Sequence, residues 1–75
     1  MDESIAIKVA QGLRAARLRA GLTLAEAAET AHLSPEVYGR MERGKILPSL
    51  PTLTVLCGAF RTSLDEVMGI PSPPT

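Results

Sequence analysis

Apolar and polar positions alternate along this chain with a helical period. Ile5, Val9, Leu13 and Ala16 mark one face of a helix near residues 4–20, with Ser4 as its cap and Gly21 as its stop. Gly12 inside that helix lowers propensity by about 1 kcal/mol relative to alanine, which points to close backbone approach by another helix. Leu24, Ala27, Ala28 and Ala31 recur at i, i+3, i+4 and i+7, predicting a second helix over 24–31 whose alanines let a partner come near. Thr23 followed by Glu26 has the spacing of a capping box at its start. Ser34 as N-cap and Pro35 at the first helical position open a third helix, 35–43. It carries Val37, Tyr38 and Met41 on its apolar side, and Gly44 ends it. Ile46-Leu47-Pro48 is a loop, because proline pushes its predecessor out of the α region. Ser49 caps a fourth helix over 50–60 with Leu53, Leu56 and Phe60 on one side, and Ser63 caps a short fifth, 64–68, stopped by Gly69. Three prolines in Ile70–Thr75 predict an extended or disordered tail. No segment shows a strand pattern or an internal repeat. The expected fold is all-α, one domain over 1–69 followed by the tail at 70–75.

The second and third helices, joined by a tight turn, read as a helix-turn-helix spanning residues 23–44. Gly21-Leu22-Thr23, Ala28, Leu33-Ser34, Met41-Glu42-Arg43-Gly44, Pro48-Ser49 and Leu64-Asp65-Glu66-Val67 stand in register with one another. Together they resemble the Cro/XRE family of phage-repressor-like DNA-binding domains over roughly residues 9 to 69. The most specific part is M-E-R-G with P-S four residues after the glycine. The resemblance implies a compact five-helix domain whose third helix enters the major groove of double-stranded DNA.

Carried onto this sequence, the resemblance places Pro35, Glu36 and Arg40 at base edges, with Ser34 and Val37 at the margin. Arginine suits that role because its guanidinium binds guanine O6 and N7 together. Glu36 can accept from cytosine N4; equally, it can stabilise the helix dipole as a first-turn carboxylate. Thr23, at the start of the second helix, Arg43 and Lys45 are placed for phosphates, as are backbone N–H groups at the starts of the second and fourth helices. The family often has glutamine at the first position of the second helix, where this chain has Leu24. Arg17 and Glu42 match a largely buried ion pair of the phage repressors, which would lock the first helix to the third.

Composition adjusts the picture. Seventy-five residues with eight basic and eight acidic side chains make one small neutral domain, with no tail that binds nucleic acid by charge alone. The charges are unevenly spread: Lys8, Arg14, Arg17 and Arg19 lie in one acid-free stretch, and Arg40, Arg43, Lys45 and Arg61 in another that holds only Glu42. A locally basic face on a neutral protein is compatible with DNA. A single cysteine, Cys57, excludes an internal disulfide and reads as a small buried hydrophobe. His32 stands in the turn, where histidine tolerates positive φ. Neither residue has neighbours at metal-ligand spacing, and no nucleophile–base or carboxylate pair points to an enzyme. No cofactor, metal or membrane span is expected, and the cytoplasm is the expected compartment. Two functions follow from these features. The first is a sequence-specific transcriptional regulator binding two-fold-related DNA as a homodimer. The second is a protein-interaction module on the same scaffold, with weak or lost DNA binding.

Overall fold

The computed structural model of the chain describes residues 2–69, so the tail from Ile70 lies outside it. Five helices follow in order: α1 (Asp2–Arg19), α2 (Leu24–Thr30), α3 (Pro35–Glu42), α4 (Leu50–Ala59) and α5 (Leu64–Met68). No strand occurs among the described residues. The first helix begins at Asp2, so Ser4 stands within it rather than capping it. The ends of α2, α3 and α4 each fall one residue short of the sequence expectation, because the residues at 31, 43 and 60 leave helical geometry as C-caps.

Each helix after the first starts on a hydroxyl that accepts from the amide three residues on. Thr23, Ser34, Ser49 and Ser63 receive the amides of Glu26, Val37, Thr52 and Glu66. Glu26 and Glu66 return a carboxylate oxygen to the cap's own N–H, completing two capping boxes. The ends share a motif as well. The amides of Leu22, Leu33, Lys45 and Thr62 reach back to the carbonyls of Arg17, Ala28, Arg40 and Cys57. Each such closure needs one left-handed residue just before it. Gly21 and Gly44 supply it twice; His32 and Arg61 adopt it at φ 57° and 55°.

The core gathers Val9, Leu13 and Ala16 from α1, Ala27 and Ala28 from α2, Tyr38 and Met41 from α3, and Leu53, Leu56 and Phe60 around α4. Val67 closes it from α5. Tyr38 and Phe60 meet edge to face, ring centroids 6.3 Å apart. At Gly12 α1 and α5 come into backbone contact: a Cβ there would stand 2.1 Å from the carbonyl oxygen of Val67. Two residues assigned to buried faces lie outside the core. Ile5 and Leu24 are 46% and 41% exposed, since they sit near the starts of their helices, beyond the packed turns.

Candidate nucleic-acid interface

The orientation of α3 is fixed from behind by a buried polar cluster. Arg17 Nε donates to Glu42 Oε2 at 2.7 Å and Nη2 to Oε1 at 3.0 Å, the two-bonded geometry that suits a guanidinium and a carboxylate. Arg17 is 8% exposed, and its remaining donor Nη1 reaches the carbonyl of Leu22 at 2.9 Å. The fully buried Tyr38 donates its hydroxyl to the same Glu42 carboxylate. No buried side-chain nitrogen or oxygen among the described residues lacks a partner. One guanidinium thus ties together α1, the turn that leads into α2, and α3. The pairing with Glu42 raises the pKa of Arg17, and burial together with the Glu42 carboxylate pushes the Tyr38 hydroxyl well above its ordinary range.

The role of Tyr38 is an addition to the sequence reading, which assigned it only to the apolar side of α3. The spacing held the signal. Tyr38 and Glu42 are i, i+4 neighbours on one helix.

With its back held, α3 turns the other side to solvent. Pro35, Glu36 and Arg40 are exposed, Val37 is half-buried, and Ser34 is exposed with its hydroxyl engaged as the cap. Glu36 and Arg40 are one helical turn apart, yet they form no ion pair. Among the described residues the Arg40 side chain has no hydrogen-bond or ion-pair partner, and it is exposed on that surface. Thr23 is exposed, with its oxygen accepting from Glu26 and its hydroxyl hydrogen still available. Arg43 and Lys45 are exposed just beyond α3. The guanidinium of Arg43 lies over Gly39, its Nη1 3.2 Å from where a Cβ on that glycine would stand. Lys45 begins the loop that leads to the capped start of α4. The described residues therefore set four cationic or hydroxyl groups and the first turn of α3 around a helix-turn-helix.

A family model described as helix-turn-helix matches residues 13–67, most of the chain and all of this constellation. The chain belongs to the Cro/C1-type helix-turn-helix family. Two crystal structures of the clp gene regulator ClgR from Corynebacterium glutamicum have the same fold, with TM-scores of 0.80 and 0.81. Each is 31% identical over 85% of this chain, and the match spans 82% and 68% of the respective ClgR chains. No curated protein matches by sequence.

Cys57 and His32 take no part in the polar cluster behind α3. Cys57 is a free, buried thiol whose pKa burial pushes upward, and His32 is exposed in its turn. Among the described residues no three histidine, cysteine or acidic side chains cluster as metal ligands, and no helix is long and apolar enough to cross a membrane.

Proposed function

We propose that this protein is a sequence-specific DNA-binding transcriptional regulator, with α3 in the major groove and a homodimer bound to two-fold-related half-sites. The observation that carries the reading is the buried Arg17–Glu42–Tyr38 cluster, which braces α3 while Arg40 stays exposed and, among the described residues, in no ion pair. A preorganised helix loses little entropy on entering a groove, and an unpaired guanidinium is ready for a guanine edge. In this reading Ser34, Pro35, Glu36, Val37 and Arg40 face bases. Thr23, Arg43 and Lys45 hold phosphates, and Arg17 and Glu42 act behind them as structure. One module buries too little surface for tight binding, so two copies reading half-sites one helical turn apart supply the affinity. The kinship with the ClgR structures, whose protein is a gene regulator, supports the same role.

A second reading, a protein-interaction module with weak or lost DNA binding, is favoured by Leu24. That side chain is 41% exposed at the start of α2, where it gives a phosphate nothing to bond. The net charge of zero points the same way. Selection of bound duplexes from a random DNA pool decides between the two. The regulator reading expects an enriched palindrome with half-sites about 10 base pairs apart. A pool that stays random after repeated rounds refutes it in favour of the second.

A further inference from the structure

A cleft of about 490 Å³ opens where α1 and α4 come to their ends. Arg19, Ala20 and Leu22 line it from the end of α1 and the turn that follows, and Ala59, Phe60 and Arg61 from the end of α4. Its volume falls in the range of small-molecule sites. Leu22, Ala59 and Phe60 are half-buried or buried, whereas Arg19 and Arg61 are exposed, so the lining combines an apolar floor with two cations. No acidic side chain lines the cleft, and neither arginine is in an ion pair among the described residues.

We propose that this cleft binds a small carboxylic acid with an apolar body, the carboxylate held by Arg19 and Arg61 and the body lying on Leu22, Ala59 and Phe60. Guanidinium groups match a carboxylate in both charge and geometry. Offsetting the two helix ends does not use up the charge. Each C-terminus carries about half a negative charge, so two guanidiniums leave a surplus of about one positive charge in the cleft. The backbone of Arg61 supplies an independent indication. It stands at φ 55°, where glycine would make the same turn without strain. Strain of that kind persists where the side chain has a use. Leu22 and Phe60 also touch the brace behind α3, the first through its carbonyl to Arg17 and the second through its ring against Tyr38. A ligand on this floor therefore lies directly behind the groups that hold α3.

The test titrates 2-naphthoate into the full chain without DNA and follows the ring signals of Phe60, the single phenylalanine, by NMR. Those signals should shift and saturate with a Kd of about 1 mM or tighter. The neutral analogue 2-naphthalenemethanol should bind about tenfold more weakly, as should 2-naphthoate to Arg19→Gln and to Arg61→Gln. Arg61→Gly relieves the positive φ and keeps the fold, so a stable variant that has lost affinity separates binding from structure. Arg14→Gln, an exposed arginine of α1 outside the cleft, should bind like the wild type. Phe60 signals unmoved at about 10 mM 2-naphthoate overturn the proposal, as does affinity indifferent to Arg19→Gln and Arg61→Gln. Inorganic phosphate displacing 2-naphthoate at equal concentration also overturns it, since the site would then hold a counter-ion only. The proposal stands apart from the DNA reading: random-pool selection can fail while this binding holds, and the reverse.

Discussion

At the scale of single residues, the Glu42 carboxylate is the point on which α3 depends, because three donations arrive from two side chains inside the fold. Glu42→Ala leaves the Arg17 guanidinium buried without a counter-charge, a loss of about 3–5 kcal/mol. A change below about 1 kcal/mol in urea denaturation would mean the pair behaves as an exposed one. Tyr38→Phe removes one bond to a charged acceptor while the other two persist, so about 1–2 kcal/mol is expected. The same hydroxyl gives a pH signature. Its folded pKa is raised above the ordinary value near 10, so the neutral form is favoured in the folded state. Its contribution is complete below pH about 10 and declines as pH rises further, where the unfolded chain gives up a proton that the folded one retains. The wild-type urea midpoint should therefore fall more steeply between pH 9 and 11.5 than that of Tyr38→Phe. Parallel curves would show the hydroxyl to be solvated. On the outer side of α3, Arg40→Ala should cost about 1–3 kcal/mol on the selected duplex and relax preference at one base pair. Arg43→Ala should weaken all duplexes alike and lower the salt slope by about 1. Fluorescence anisotropy on selected and scrambled duplexes separates them. Equal losses on both for Arg40→Ala would mean that α3 reads no bases.

At the scale of elements, starts were easier to read from sequence than ends. A Ser or Thr three residues ahead of an amide acts through its own side chain, and all four caps at Thr23, Ser34, Ser49 and Ser63 bond as their spacing indicates. The ends at Gly21 and Gly44 were legible for the same reason, since glycine alone takes φ near +75° without strain. Arg61 gave no such signal. Nothing in its chemistry favours the left-handed region; the packing of Phe60 and the closure by Thr62 impose it. That forced geometry is measurable. Arg61→Gly, on an exposed side chain, should raise stability by about 1 kcal/mol as the Cβ clash is relieved, and thermal denaturation would show the midpoint rising by several degrees. An unchanged or lower midpoint would mean that the arginine side chain contributes as much as its backbone costs. Ile5 and Leu24 illustrate the opposite difficulty. The helical period assigned them to a face, but a face is buried only where a neighbour covers it, and helix starts extend past their neighbours.

For the whole molecule, local patterning was enough to give five helices, yet the arrangement of their contacts was only partly legible. Gly12 announced a close approach without naming the partner; the partner is α5, fifty-five positions further on, and its backbone rather than a side chain. The candidate interface divides the same way. The residues of α3 lie on one short helix and were readable as a set, whereas the Arg17–Glu42 pair behind them joins α1 to α3 across twenty-five positions, which no local period connects. The contact at Gly12 also orders events in time. The turns that close α2 on α3 link near neighbours and demand little loop entropy, so that pair can assemble early. Seating α5 on α1 closes a loop of fifty-five positions, so it is expected to come later. A methyl group at position 12 would then press on a contact absent from the folding transition state. Gly12→Ala should leave the folding limb of a chevron almost unmoved and accelerate unfolding by about tenfold or more, so that the domain assembles at its usual pace and loses its grip sooner.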